Sequence, residues 1–114
     1  MAGEKRAGPK MTIPVQLVLR AMLAEPTKEM YGLQIGQAAG LPSGTIHPIL
    51  ARLEGCGWLQ SQWEDAVPQQ EGRPRRRYYK LTEDGAERAR IALAQATVSV
   101  TALGLRPRPA GGLA

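Results

Sequence analysis

Four arginines within five positions form the densest group of charged side chains in the sequence. They are Arg73, Arg75, Arg76 and Arg77. A guanidinium group donates paired hydrogen bonds whose geometry matches the oxygens of a phosphate. The whole chain has 15 Lys and Arg against 10 Asp and Glu, a formal net charge of +5. This balance favours a polyanionic partner, although a solvated charged face on an ordinary basic protein would give the same composition.

A second group of polar residues lies on one side of a helix that is predicted to begin near Ser43. Apolar residues recur with helical spacing at Ile46, Ile49, Leu50 and Leu53. The opposite, solvent-facing side carries Ser43, Gly44, Thr45, His47 and Arg52. Hydroxyl, imidazole and guanidinium groups can hydrogen-bond to base edges or phosphates, and a glycine lets a ligand come close. The alternatives are solvated surface side chains and, for Arg52, an ion pair with Glu54.

The sequence argues against an enzyme, a metal protein or a cofactor protein. It has no Ser-His-acid set and no phosphate-cradling glycine loop, and its one His and one Cys are too few for a dedicated metal site. Cys56 cannot form a disulfide within the chain, which fits the reducing cytoplasm. No apolar run approaches the roughly 20 residues of a membrane span, and residues 1–10 lack the apolar stretch of a signal peptide. We therefore expect a cytoplasmic protein.

The element pattern predicts a mainly α-helical domain with a small two-stranded β wing. Thr12 caps a first helix that runs to about Ala24, and Met30 and Tyr31 are placed for a very short strand. A second helix spans residues 32–39 and ends at Gly40, and Ser43 is expected to cap the third. Strands are predicted at residues 58–62 and 77–81, with the arginines in the hairpin loop between them. Tyr78 and Tyr79 then point to opposite faces, so one packs on the core and the other can touch a phosphate, for which Tyr79 is the candidate.

A final helix, capped by Thr82, is predicted to pack against a partner helix. Small and apolar residues alternate along it in steps of three and four: Ala86, Ala89, Leu93, Ala96, Val100 and Leu103. The predicted organisation is a flexible basic arm (residues 1–11), a helix-turn-helix domain with its wing as the candidate DNA-binding unit (12–81), a dimerisation helix (82–104) and a disordered tail (105–114). The alternative is that the small-residue stripe packs on its own domain.

Several motifs in this order resemble the PadR family of bacterial transcriptional regulators, which have a winged helix-turn-helix fold. They are Tyr31-Gly32-Leu33-Gln34-Ile35, the run from Ser43 to Glu54, Gly57-Trp58-Leu59, Gly72-Arg73-Pro74-Arg75-Arg76-Arg77-Tyr78-Tyr79 and Leu81-Thr82-Glu83-Asp84-Gly85. Together these motifs span about two thirds of the chain. The family usually has Tyr at the position of His47. Some members bind flat aromatic compounds, but the last helix here has no aromatic residue, so a small-molecule effector would be absent or small.

The resemblance implies sequence-specific binding of double-stranded DNA, with repression as the usual mode of regulation. The third helix would enter the major groove, and the arginines of the wing would meet the backbone or the minor groove. A homodimer through the last helix would place two such helices about 34 Å apart on a near-palindromic site. The alternative is a winged-helix module that uses the same surface to bind another protein without direct DNA readout.

Overall fold

The first helix begins where the sequence supplies both a cap and a proline. In the computed structural model, which describes residues 8–67 and 69–102, α1 spans Ile13–Leu23, and the Thr12 hydroxyl accepts a hydrogen bond from the Val15 N–H at 3.3 Å. Proline is tolerated in the first turn because its missing N–H would be unpaired there. The buried face of α1 consists of Val15, Val18, Leu19 and Met22. The helical spacing of apolar residues predicted for α1 is confirmed.

The next two helices are joined by a turn that depends on two glycines. Helix α2 spans Gly32–Ala39, after the short strand β1 at Met30–Tyr31, and ends at Gly40, whose φ of 74° is left-handed. A Cβ at Gly36 would lie 2.9 Å from the Leu41 carbonyl oxygen, so only glycine lets the turn come this close. Helix α3 then spans Ser43–Gly55.

The prediction that Ser43 caps α3 is wrong. Pro42 is the N-cap residue, with an extended backbone (φ −75°, ψ 159°), and its carbonyl oxygen accepts hydrogen bonds from Thr45 and Ile46. Proline fixes φ near this value, so the chain leaves the turn already aligned for the helix. Ser43 is the first residue of the helix proper, and its hydroxyl is not used as a cap.

Three antiparallel strands form one sheet in the order β1-β3-β2. Strand β2 spans Leu59–Trp63 and β3 spans Arg77–Leu81, with Leu59 opposite Leu81 and Trp63 opposite Arg77. The hairpin predicted for the wing is therefore present, with its first strand one residue later than predicted. The short strand β1 pairs with the other edge of β3, Met30 opposite Tyr79. A short 3-10 turn at Gln69–Glu71 lies in the hairpin loop.

The last helix, α4, spans Glu83–Ala102 and begins against the backbone of the sheet. The Thr82 hydroxyl accepts a hydrogen bond from the Gly85 N–H at 2.8 Å, which confirms Thr82 as the cap. A Cβ at Gly85 would overlap the backbone of Trp58, so glycine sets how closely α4 packs. Ala86 and Ala89 are consequently part of the core, with 8% and 0% of their surface exposed.

The core is aliphatic apart from Trp58, and no charged or polar residue in the described ranges is buried. Its fully covered members include Leu19, Ile35, Ile46, Leu50 and Leu53, contributed by all three N-terminal helices. Gly8 and Met11, from the predicted arm, lie against Trp58 and the core respectively. Residues 1–7 of that arm and the predicted tail, 105–114, lie outside the described residues. None of the described helices is long and apolar enough to cross a membrane.

Candidate nucleic-acid interface

Helix α3 presents the polar face that its sequence predicts. Ile46, Leu50 and Leu53 are completely buried, whereas Ser43, Gly44, His47 and Arg52 are exposed and Thr45 is half-buried. Within the part of the chain that the structure describes, Arg52 forms no ion pair with Glu54, because Glu54 instead bonds to Ser61 and Arg77. The donors and acceptors on this face are therefore available to an external ligand.

His47 is exposed, but its ring is seated against the start of α2. A Cβ built on Gly32 would lie 3.1 Å from the His47 Cε1 atom, so the imidazole covers the space that a side chain at position 32 would need. Glycine at this position leaves room for the Cε1 edge of the ring beside the backbone. The orientation of His47 thus depends on the N-terminus of α2.

Arg76 of the wing contacts the residue immediately before Gly32. Its guanidinium carbon lies 4.1 Å from the centre of the Tyr31 ring, a cation–π contact. The Tyr31 ring also meets Tyr78 of β3 edge-on, with ring centres 5.6 Å apart. Arg76 and His47 thus contact consecutive residues, Tyr31 and Gly32, whose Cα atoms are about 3.8 Å apart. The polar face of α3 and the cationic wing therefore meet at the N-terminus of α2.

Arg73 and Arg77 are bound to carboxylates of their own chain. Arg73 donates to both oxygens of Glu64, at 2.9 and 3.1 Å, and its Nε donates to Glu71 at 2.8 Å. Hydrogen bonds from the Arg73 side chain, which has the larger effect, and from the Arg76 N–H lower the pKa of Glu64 to about 2, and the bond to Glu64 raises the pKa of Arg73. Arg77 donates to Ser61 at 2.9 Å and to Glu54 at 3.4 Å, which ties β3 to β2 and α3. The charge of each arginine is therefore balanced locally.

Arg75 is exposed, and its partners are neutral. Its Nη1 donates to the backbone carbonyl oxygens of Glu64, at 3.3 Å, and Asp65, at 2.9 Å. Arg76 contacts an uncharged ring. Among the four arginines, Arg75 and Arg76 are thus the pair whose guanidinium groups form no ion pair in the described residues.

Tyr79 lies on the core side of the sheet. It is half-buried and packs against the core, on the same face as Arg77 and Leu81. Tyr78 takes the opposite face, beside Tyr31. Tyr79, the tyrosine predicted to touch a phosphate, is therefore the one that packs on the core, and Tyr78 lies on the opposite face; a contact of Tyr79 with DNA stays a prediction.

Three residues of this surface were not identified from the sequence: Tyr31, Gly32 and Glu64. Tyr31 and Gly32 matter because tertiary contacts bring α2 under both His47 and Arg76. For Glu64 a signal did exist, since an acidic residue at the start of an arginine-rich loop is a natural partner for one of the arginines.

The predicted dimer stripe is divided by the fold. Ala86 and Ala89 are covered by the chain's own core, so a partner could not reach them without displacing that packing. Leu93 and Ala96 are half-buried on α4, and nearby Ile91 is 53% exposed. The side chain of Val100 and the whole of Leu103 lie outside the described residues. Dimerisation through the rest of α4 stays a prediction.

No cluster of three or more potential metal ligands occurs in residues 8–67 and 69–102.

A family model described as "Transcriptional regulator PadR-like family" matches residues 19–91. A search of curated protein sequences gives no match.

Several solved structures share the fold. A PadR family transcription regulator from Clostridium difficile R20291 is 23% identical, with 79% of this chain and 94% of that chain covered and a TM-score of 0.59. A transcriptional regulator homologue from Pyrococcus horikoshii OT3 is 22% identical, with 81% and 85% covered and a TM-score of 0.61. The disulfide form of AbfR is 27% identical, with a TM-score of 0.61. The alignment covers 78% of this chain and only 59% of the AbfR chain.

Proposed function

The chain belongs to the PadR-like family of transcriptional regulators, and on that premise we propose that it reads a specific site in double-stranded DNA with α3 and the wing, as a homodimeric repressor. DNA binding is the common property of the family. The choice of residues, the dimer and the sign of regulation are particular to this proposal.

The observation that carries the proposal is the meeting of α3 and the wing at Tyr31 and Gly32. His47 lies against Gly32, and Arg76 lies over Tyr31 at 4.1 Å. A base-reading helix and a phosphate-binding hairpin can act on one duplex only if they face the same side of the molecule. Their contacts with two consecutive residues support such an arrangement.

The exposed start of α3 carries groups suited to base edges. The Thr45 hydroxyl and the His47 imidazole can donate or accept, and the methyl group of Thr45 can contact thymine. Ser43, whose hydroxyl is not used as a cap, is available for a base or a phosphate. Gly44 has nothing within 4 Å of a Cβ placed on it, so the helix can approach the groove closely at this point.

Arg75 and Arg76 are the arginines of the wing that we assign to the phosphates or the minor groove. The guanidinium groups of Arg75 and Arg76 contact carbonyl oxygens and a ring, whereas those of Arg73 and Arg77 are paired with carboxylates. Arg52, exposed near the end of α3, is assigned to a phosphate farther along the backbone.

A dimer would give the protein enough sequence information to find one site in a genome. Leu93 and Ala96 form the described part of the α4 stripe that a second copy would cover, beyond the buried Ala86 and Ala89. Two-fold symmetry would then place the two copies of α3 about 34 Å apart on a near-palindromic operator. Repression would follow from occupying that operator in the cytoplasm.

The test is binding to DNA from upstream of the protein's own gene, measured by fluorescence anisotropy at two salt concentrations. Arg75→Ala/Arg76→Ala removes the two uncompensated charges, and Arg20→Ala/Arg88→Ala removes two exposed arginines from α1 and α4. If both wing arginines meet phosphates, their loss flattens the slope of log K against log salt by about 1.8 per protomer, at about 0.9 for each phosphate. The control pair should change the slope much less.

Equal slopes for the two double variants would remove the wing from the mechanism. If the wild-type protein does not bind the DNA upstream of its own gene, the proposal that this DNA contains its specific site is refuted. Light scattering after size exclusion tests the dimer separately, and a monomer at binding concentrations would refute the paired arrangement.

A further inference from the structure

Glu64 lies at the base of the wing and bonds to the returning strand in two ways. Its backbone N–H donates to the Arg76 carbonyl oxygen at 2.8 Å, and its Oε1 accepts from the Arg76 N–H at 3.1 Å. The Trp63 to Arg77 pair is the last one of the ladder. Glu64 therefore extends the pairing by one residue, with its side chain replacing a backbone acceptor.

The same carboxylate also holds the far side of the loop. Both oxygens of Glu64 accept from Arg73, which reaches on to Glu71 at 2.8 Å and to the Pro74 carbonyl oxygen at 3.2 Å. A loop of eleven residues, 65–75, is thus fastened near its end to the residue that precedes its start. Without such ties, a loop of this length, with one glycine and two prolines in its sequence, would sample many conformations.

We propose that Glu64 is a positioning residue for DNA binding: by binding Arg73 and the backbone of Arg76 it fixes the direction in which Arg75 and Arg76 leave the wing. The inference rests on the proposed function, since it concerns how the same surface is held ready. Arg73 serves as the partner of Glu64 and not as a phosphate ligand. Because the pKa of Glu64 is about 2, its carboxylate is ionised at neutral pH.

This role predicts that loss of the Glu64 carboxylate weakens DNA binding, whereas electrostatic repulsion alone predicts that it strengthens binding. A carboxylate beside a phosphate-binding surface repels DNA, so its removal alone should strengthen binding. If Glu64 orders the wing, its removal weakens binding, because the ordering must then be completed when DNA binds. Likewise, Glu64→Gln and Arg73→Gln change the net charge in opposite directions, yet both break the same contact.

The experiment compares the DNA affinity of Glu64→Gln, Arg73→Gln and the double variant in the full-length protein. We expect each single variant to bind roughly five- to thirty-fold more weakly, the factor that corresponds to ordering about one residue of backbone. The double variant should be no weaker than the weaker single variant. The matched control is Asp65→Asn, which removes a neighbouring exposed charge and keeps the carbonyl oxygen that binds Arg75; its affinity should stay equal or rise.

A second measurement needs no DNA. Amide hydrogen exchange in the free protein should quicken at residues 64–76 in Glu64→Gln and stay unchanged in Asp65→Asn, with the exchange of α1 and α3 unaltered in both. Unchanged exchange at the Arg76 N–H in Glu64→Gln would overturn the inference. So would an affinity of Glu64→Gln equal to or above wild type, even though the proposed function would stand. Failure of the wild-type protein to bind DNA would instead refute the proposed function, and the exchange data would still decide whether Glu64 orders the wing.

Discussion

Substitution of Gly44 by alanine separates the stability of α3 from its function. Gly44 is exposed in the first turn of α3, and a Cβ placed there has nothing within 4 Å. The folded state therefore accepts the methyl group, and the unfolded state loses conformational freedom. The gain for such a change is about 0.4–1 kcal/mol. For a domain of this size it corresponds to a rise in Tm of roughly 2–8 °C.

The same methyl group should weaken specific DNA binding. It would project from the face of α3 that we assign to the base edges, where it would hold the helix away from the groove. Loss of one good base contact costs about 1–3 kcal/mol, or roughly five- to 150-fold in affinity. The expected signature is a more stable protein that binds its site more weakly.

Gly55→Ala is the matched control. Gly55 is also exposed, lies at the other end of the same helix and has open space around an added Cβ. Both variants would be compared with wild type by thermal unfolding and by anisotropy on specific and unrelated DNA. If Gly44→Ala binds its site as tightly as wild type, or if Gly55→Ala loses as much affinity, the start of α3 is not at the bases and the reasoning fails.

Three further predictions concern the wing, α2 and the core. NMR titration of the Glu64 carboxyl should give a midpoint near 2, and Arg73→Gln should raise it; because this pKa is lower than the ordinary 4.5, the contribution of Glu64 to wing stability is complete above pH 4.5 and is lost as the pH falls toward 2. Gly32→Ala should displace the His47 ring, visible as altered imidazole shifts, and reduce affinity for specific DNA while the helical circular dichroism is retained. Leu50→Ala, at a completely buried position, should lower the free energy of unfolding in urea by about 2–5 kcal/mol.

The helices could be predicted because their signals are local. Thr12 with Pro14, the left-handed Gly40 and the cap at Thr82 each act within one turn, and the apolar period of α1 and α3 is undisturbed. Errors arose where two neighbouring residues competed. Ser43 is the better cap by residue type, but the turn fixed by Gly36 leaves Pro42 in the extended cap conformation. Similarly, β2 begins after Trp58, because Trp58 and Leu59 are both buried and break the alternation.

The composition of the site could be predicted, but not its internal pairing. The arginines were evident, whereas the partners of Arg73 and Arg77 lie 9 and 23 residues away and depend on the hairpin and on its packing against α3. Ala86 and Ala89 show the same limit. A stripe of small residues looks alike whether it meets its own core or a second chain, and the close approach of Gly85 to Trp58 decides in favour of the core.

The attraction for DNA that we propose for the wing depends on where its charges are placed more than on how many it has. Residues 64–77 contain four arginines and three acidic residues, a net charge of only +1. Glu64 neutralises Arg73, and Glu54, from α3, neutralises Arg77. The guanidinium charges of Arg75 and Arg76 are not paired with a carboxylate in the described residues, because their partners are carbonyl oxygens and an aromatic ring. In the proposed function the acidic residues thus determine which two arginines are left to face the phosphates, and a wing without Glu64 would carry more positive charge but hold its arginines less firmly.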